Sequence, residues 1–565
     1  MTRSRATAIA ALVLLPGGAT DARTHPYRAR DGMVVSQERI ASQVGADVLA
    51  EGGGAIDAAV ATAFALAVTH PAAGNVGGGG FLVYRAKNGD AAAYDFREMA
   101  PAGASPTMFL DASGAYDKLR HHNSHLAVGV PGTVAGLHLA WQEHGRLPWR
   151  RLVEPAVRLA RDGFVVSDGL ARSLKSILVE MKAKNYAASL AAFSKDGTPY
   201  DAGELLRQPD LARTLERIAE KGPAGFYEGE TAELIEREMK AGGGLITRAD
   251  LKAYRARRRA PIQGSYRGYD VIGMPPPSSG GTALVQMLNV LEGYDVKGLG
   301  FLGARSVHVI AEAMRRAFAD RARLLGDPEF NPELDTARLV SKPYAAELRR
   351  SIREDKASVS SPETFAWPAE SDETTHLSVV DKERNAVSLT YTLEAGYGSL
   401  ITVAGAGFLL NNEMGDFNAG PGLTNTEGLI GTEPNLARPG KRMLSSMTPA
   451  ILARDGRLFL VVGSPGGRTI INTVLQAILN VVDHEMNVQQ AIDAPRFHHQ
   501  WLPDRIAYEK FGLSPDTREA LRGLGHTLHE VPTQGVAQAI LVNAKEDLLE
   551  GGFDRRAPDS GAAGR

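Results

Sequence analysis

ESDETTHLSVV, residues 370–380, begins as an acidic loop and ends as a strand, with Thr374 at the seam. Side chains alternate across a strand, so Thr374, His376 and Ser378 share one face. In the next apolar segment, Ala386 to Leu393, Val387, Leu389, Tyr391 and Leu393 point one way and Ser388, Thr390 and Thr392 the other. The intervening DKERN is a turn, and a hairpin centred on Glu383 sets Thr374 opposite Thr392, with Glu394 two residues further along that face. A slip of one residue would send every side chain to the other face, so the register is a sharp expectation. Directly opposed Cβ atoms lie about 4.5–5.5 Å apart, within reach of a hydroxyl–hydroxyl hydrogen bond. The polar face reads either as the wet side of a sheet or as a working pair of hydroxyls.

A second constellation bears on that choice. LFLVVGSPGG, residues 458–467, reads as a strand from Leu458 to Val462, a glycine-rich turn and then a helix with Ile470, Val474 and Ile478 on its apolar face. The turn brings the N–H groups of Gly466 and Gly467 to a helix N-terminus, where they can hold an anion or a developing oxyanion. Read structurally, it is a tight strand-to-helix connection.

The rest of the chain narrows the class. Its 565 residues are 44% apolar and 23% charged, the balance of a globular protein, and allow three or four ordinary domains or one large intertwined unit. A formal net charge of −2 gives no general attraction to nucleic acid or an anionic membrane, and the cluster Arg255, Arg257, Arg258, Arg259 reads as a solvated helix end. Zero cysteines exclude disulfides, thiol nucleophiles, iron–sulfur clusters and cysteine-bound zinc. Arg3 and Arg5 precede an apolar run from Ala6 to Leu15 and small residues through Ala22, the pattern of a secretory signal spanning residues 1–22. No later run reaches the roughly 18–20 apolar residues of a spanning helix, so a soluble periplasmic or secreted protein is expected.

Along the chain, Ile40, Val44 and Val48 mark an amphipathic helix, and Ala58 to Val68 is apolar on all sides, as in a buried one. Gly77 to Gly80 lead into a strand and lack the Gly-Lys-Ser/Thr of a phosphate loop, so tight packing is expected. The middle, about Pro148 to Glu354, reads as mainly helical, broken by the loop MPPPSSGG. Asp355 to Glu373 reads as an exposed linker, after which strands dominate. A helix-rich part and a strand-rich part predict a layered α/β protein with sheets covered by helices.

EGGGAIDAAVATAFALAVTHPAAGNVGGGGFLVYR, DFREMAPA, VGVPGTVAG, MPPPSSGG, TTHLSVVD, LLNNEMGDF, KRMLSSMTP, GSPGG and APRFHHQWLP occur in that order over nearly the whole chain. This set resembles the gamma-glutamyltranspeptidases, or glutathione hydrolases. The resemblance implies an N-terminal nucleophile hydrolase, an αββα sandwich made as one precursor that cuts itself between Glu373 and Thr374. A large subunit, 23–373, and a small subunit, 374–565, would then share one core as a heterodimer. It also implies glutathione and other γ-glutamyl compounds as donors, amino acids or dipeptides as acceptors, and neither cofactor nor metal. A hydroxyl with no neighbouring base is a weak nucleophile at neutral pH, but a chain-terminal threonine carries an α-amine of pKa about 7.7–8.0 that can serve as its base.

By the same resemblance Thr374 is the nucleophile, Thr392 orients it, and the Gly466 and Gly467 N–H groups hold the oxyanion. Arg97 would clamp the donor α-carboxylate with help from Ser445 and Ser446, while Glu413, Asp416 and Glu394 face its ammonium. Three positions depart from the family pattern: Glu394 where many members have Asn, Gly415 where an acid is common, and Met443 where Pro is usual. Glu427 to Gly440 resembles a lid loop found in some members. His121, His122, His125, His498 and His499 lack ligand spacing and read as structural. Two rivals remain: a glutaryl or cephalosporin acylase of the same fold, and an uncleaved binding protein.

Overall fold

The computed structural model describes residues 24–360, 374–423 and 431–565. The signal-like segment, most of the linker and the first part of the lid segment lie outside them. Two seven-stranded sheets, antiparallel throughout, stack face to face. The first runs Gly561–Gly564, Met33–Ser36, Thr375–Val380, Ala386–Thr392, Gly79–Arg85, Ala91–Phe96, Arg257–Arg259. The second runs Tyr27–Ala29, Leu548–Phe553, Gln538–Asn543, Arg457–Gly463, Ala450–Arg454, Tyr269–Gly273, Ile262–Tyr266. Val35, Phe81, Val83, Ile451, Val461 and Ile540 pack between them.

Helices close both outer faces. Ala55–Thr69 is buried at every position against the first sheet, as its unbroken apolar run requires. Gly280–Leu291, Ala304–Leu324 and Thr469–Val482 cover the second. Each fully buried Val, Leu or Phe in these layers contributes about 1.5–3 kcal/mol. The result is an αββα sandwich, the architecture that the resemblance implies. Among the described residues no helix is long and apolar enough to cross a membrane.

The hairpin has the expected register: Thr375 faces Tyr391 and Val380 faces Ala386. Carried one residue beyond the strand, it sets Thr374 opposite Thr392. Neither face of the hairpin is wet, because every residue of both strands is buried. The polar face instead meets the second sheet. His376 Nδ1 lies 2.8 Å from Thr390 Oγ1, and Ser388 Oγ donates to the Val462 carbonyl at 3.0 Å. Burial pushes the His376 imidazole down to about 3, so it sits there neutral.

Gly77–Gly80 do pack tightly: a Cβ on Gly78 would stand 2.1 Å from the Thr392 carbonyl oxygen. Two expectations fail. The arginine cluster is not a helix end; Arg257–Arg259 is an edge strand whose Arg258 and Arg259 pair with Glu143 and Asp95. The middle is mainly helical as expected, yet besides that strand it holds two-residue strands at Phe164–Val165 and Leu205–Leu206 and the longer Ile262–Tyr266 and Tyr269–Gly273, all too short to show a strand period. The linker's first residues are not free either, since Ser360 N donates to Asp504 Oδ2 at 2.7 Å.

Candidate active site

Thr374 stands at the end of the hairpin, 4% exposed. Across from it, Thr392 Oγ1 accepts the Glu394 N–H at 2.9 Å, which leaves the Thr392 hydroxyl proton to be donated elsewhere. Asn75 Nδ2 holds the Thr392 carbonyl at 2.8 Å. The bend that follows puts Glu394 at φ 81°, turning its carboxylate back toward the hairpin end, where Asn412 Nδ2 donates to it.

Arg97 follows the strand Ala91–Phe96 and is fully buried. Its guanidinium pairs with Glu413 at 2.5 Å, with Asp416, and with Glu98 at 3.5 Å. Arg97 Nε also donates to the Met443 carbonyl at 3.3 Å. Burial alone would ease the proton off this arginine, but Glu413, Asp416 and Glu98 outweigh it and hold the charge firmly. Burial drives the acids the other way: Glu98 is pushed up to about 8 and Glu413 well above the usual carboxylate range, each opposed by Arg97.

Ser445 and Ser446 are set by the loop Met274–Gly281. Ser279 donates to the Ser445 carbonyl through its N–H at 2.8 Å and its hydroxyl at 2.6 Å. Ser445 Oγ accepts the Met447 N–H at 3.1 Å, and Ser446 Oγ accepts from the buried Arg321 at 2.8 Å. With acceptor positions taken from behind, both hydroxyls are disposed to donate. The last two residues of that loop, Gly280 and Gly281, open the helix Gly280–Leu291.

At Gly466 and Gly467 the backbone turns through φ 127° and 52°, and the helix Thr469–Val482 begins two residues later. Among the described residues neither N–H has a protein acceptor. A small cavity of about 20 Å³ gathers Thr374, Thr392, Glu394, Arg97, Glu413, Asp416, Ser445, Ser446 and Gly467, with Met447 and Ile470. That is room for about one water. Of the ten predicted site residues only Gly466 is not on its wall; it forms the turn behind Gly467.

Sequence reasoning missed Glu98, Arg321, Asn412 and Asn435. Glu98 stood beside Arg97 in DFREM, but nothing marked its side chain as inward. Asn435, in the described part of the lid segment, donates to the Asp416 carbonyl at 2.7 Å and accepts the Leu444 N–H at 2.9 Å. Two of the departures from the family pattern meet at one residue: His122 Nδ1 is 3.7 Å from Glu394, and a Cβ on Gly415 would stand 2.4 Å from that same nitrogen. The histidines serve the fold: His121 contacts the Tyr116 hydroxyl at 3.0 Å, His498 contacts Asn472 at 2.6 Å and His499 contacts Asp504 at 3.2 Å. One cluster that could hold a metal, His308, Glu312 and His526, was not foreseen; Arg315 and Arg316 both pair with its carboxylate and oppose a dication.

A threonine at the head of a sandwich strand, facing a glycine turn and an acid–arginine pocket, defines an N-terminal nucleophile hydrolase. The model of the gamma-glutamyltranspeptidase family matches residues 41–564, and the chain belongs to that family. It is 50% identical to the glutathione hydrolase proenzyme of Escherichia coli K12 over 96% of this chain and 93% of that one. It is 47% identical to that of Pseudomonas sp. strain A14, over 92% and 90%. Among solved structures, the cephalosporin acylase of Bacillus halodurans superposes with a TM-score of 0.85 at 27% identity, covering 98% of this chain and 99% of that one.

Proposed function

We propose that this enzyme cuts itself between Glu373 and Thr374 and then transfers γ-glutamyl groups from glutathione and related amides to water or to an amine. In the precursor the Thr374 hydroxyl attacks the Glu373 carbonyl, the peptide nitrogen leaves as the new α-amine, and water hydrolyses the resulting ester. The large subunit then ends at Glu373 and the small one begins at Thr374. In the mature enzyme that α-amine takes the Thr374 proton while the hydroxyl oxygen attacks the γ-carbonyl carbon. The Gly466 and Gly467 N–H groups hold the oxyanion, and the departing amine takes the proton. Water resolves the γ-glutamyl ester to glutamate; an amino acid or dipeptide resolves it to a new γ-glutamyl amide.

The observation that carries the reading is the single cavity uniting Thr374, Gly467 and the Arg97 pocket. Arg97 already pairs with Glu413 and Asp416. A donor zwitterion can insert between them by exchange: its α-carboxylate takes the guanidinium and its ammonium takes the freed carboxylates. No buried charge is left unpaired, a loss worth about 3–5 kcal/mol. Thr392 steadies the nucleophile, and Ser445, Ser446 and Glu394 complete the pocket. A glutaryl group, without the ammonium, would leave the acids uncompensated, which favours γ-glutamyl donors over the acylase reading. Export to the periplasm or beyond the cell follows from the basic-then-apolar start of the sequence.

The test is sequencing of the N-termini of the purified protein, with turnover of γ-glutamyl-p-nitroanilide compared with glutaryl-p-nitroanilide. A fragment beginning TTHLSVV and a preference for the γ-glutamyl amide are expected, with Thr374→Ala remaining one silent chain. A wild-type chain that stays intact and behaves as Thr374→Ala does would sink the mechanism.

A further inference from the structure

The linker before the seam starts in a clamp of buried charges. Glu312, on the helix Ala304–Leu324, accepts the Ser358 N–H at 3.1 Å and the Ser358 hydroxyl at 2.5 Å. Asp504 accepts the Ser360 N–H at 2.7 Å. Arg315 ties the two acids together: it donates to Glu312 at 3.1 Å, to Asp504 and to the Ser360 hydroxyl oxygen. Just upstream, the Ala357 N–H donates to the Leu524 carbonyl at 2.7 Å, and His308 Nε2 donates to the Arg353 carbonyl at 2.7 Å. Val359 is 83% exposed while Ser360 is 7% exposed, so polar bonds, more than apolar burial, hold this stretch.

Both acids stay charged at neutral pH. Burial alone would raise Glu312, but Arg315, the Ser358 hydroxyl and Arg316 hold it down to about 2. Burial likewise opposes the charge on Asp504, yet the His499 hydrogen bond and Arg315 keep it well below the usual carboxylate range. His499 Nδ1 accepts the Trp501 N–H at 3.0 Å, so its proton sits on Nε2 and is donated to Asp504 at 3.2 Å. Buried ion networks contribute little net stability, so one that grips a short stretch with its apolar side chain exposed is better explained by what it positions. Glu312 and Arg315 precede the seam, whereas Asp504, His499 and Leu524 follow it. Thirteen residues, 361–373, join Ser360 to Thr374. A segment fixed at Ser360 and again by the strand Thr375–Val380 samples fewer arrangements than one free upstream. Attack on a neighbouring carbonyl depends on such restriction, because the reacting atoms must be held in a near-attack geometry.

We propose that Glu312, Arg315 and Asp504 are positioning residues for self-cleavage, which fix Ser358 and Ser360 so that the linker presents the Glu373 carbonyl to the Thr374 hydroxyl; the proposal rests on the self-cleavage reading above. In the step they serve, Thr374 Oγ bonds to the Glu373 carbonyl carbon, the Glu373–Thr374 C–N bond breaks and the hydroxyl proton passes to the leaving nitrogen. Water then cleaves the ester, which yields the Glu373 carboxylate and restores the Thr374 hydroxyl. All three residues lie off the wall of the cavity that holds Thr374, so they act on the precursor and leave later turnover alone.

The experiment makes the full chain by cell-free synthesis with a pulse of labelled methionine and follows its conversion from one band to two on denaturing gels. The matured enzyme is then assayed with γ-glutamyl-p-nitroanilide. One variant is Asp504→Asn; the other combines Ser358→Ala with Ser360→Pro, which removes the Ser360 N–H and alters only the gripped stretch. Both should lengthen the half-time of cleavage about threefold or more, while matured molecules keep the kcat and KM of the unsubstituted enzyme. If Asp504→Asn fails to fold, the serine variant decides. An unchanged half-time in that variant, even with a lowered melting temperature, makes the clamp purely structural and overturns the proposal while self-cleavage stands. A loss of kcat in matured molecules as large as the delay in cleavage marks a general lesion and overturns it as well. An unsubstituted chain that stays one band overturns the self-cleavage reading and the clamp with it.

Discussion

Arg97 is the residue on which the site's electrostatics turn. A fully buried guanidinium is tolerable here because three carboxylates surround it, and those acids crowd one another enough that burial pushes Glu98 up to about 8. Its folded pKa lies above its value in the unfolded chain, so the folded state binds the proton more tightly. That stabilisation is fully present below about pH 4.5 and is lost as pH rises through about 8. The melting temperature should therefore fall between about pH 5 and pH 8.5, and Glu98→Gln should flatten the slope. Parallel pH curves for the two proteins would reject Glu98 as the titrating group. At this scale Arg97 was legible only through the family resemblance of DFREM, because an arginine among acids on its own reads as a surface or structural ion pair. The inward turn of Glu98 was not legible, since it depends on Gly79 and Gly129, whose missing side chains make room for it.

Two elements set the reacting atoms: the hairpin Thr375–Val380 with Ala386–Thr392, and the turn GSPGG into its helix. Alternation of apolar and hydroxyl residues made the hairpin and its register readable in advance, because a strand has only one period to satisfy. The contact between the two elements was not readable. His376, two residues after the nucleophile, packs its ring on Gly463, where a Cβ would stand 2.2 Å from the imidazole. The glycine turn is thus docked on the nucleophile's own strand. Gly466→Ala should be severe: φ 127° disfavours a side chain, and the added Cβ would meet Thr469 Oγ1 at 2.6 Å and Gly535 Cα at 2.9 Å. Displacing one oxyanion donor costs about 10²–10³ in kcat. Steady-state kinetics of the matured variant should show that loss in kcat with KM little changed; wild-type kcat would remove the turn from the mechanism. The strands within 257–273 escaped sequence reading because each is only three to five residues long and none alternates apolar with polar residues.

Across the whole molecule, the segments before and after Thr374 are interleaved. In the first sheet the strand Met33–Ser36 sits between Gly561–Gly564 and Thr375–Val380, and in the second Tyr269–Gly273 pairs with Ala450–Arg454. A cut at the seam therefore leaves two chains that can part only by unpairing buried strands. The matured pieces should co-elute through gel filtration and unfold together in one thermal transition, giving two bands only under denaturing conditions. Release of the small piece before the melting transition would contradict this.

The sequence by itself determined the elements with strong periodicity, the hairpin register that pairs Thr374 with Thr392, the anion-holding turn and the family to which they belong. These are local patterns, fixed by side-chain spacing along a strand or helix. Only the tertiary structure decided that the hydroxyl face is buried against a second sheet, that Arg97 is held by Glu98, Glu413 and Asp416 together, and that Glu312, Arg315 and Asp504 grip the start of the linker. Those features depend on which distant segments meet, and a buried charge is defined by its neighbours.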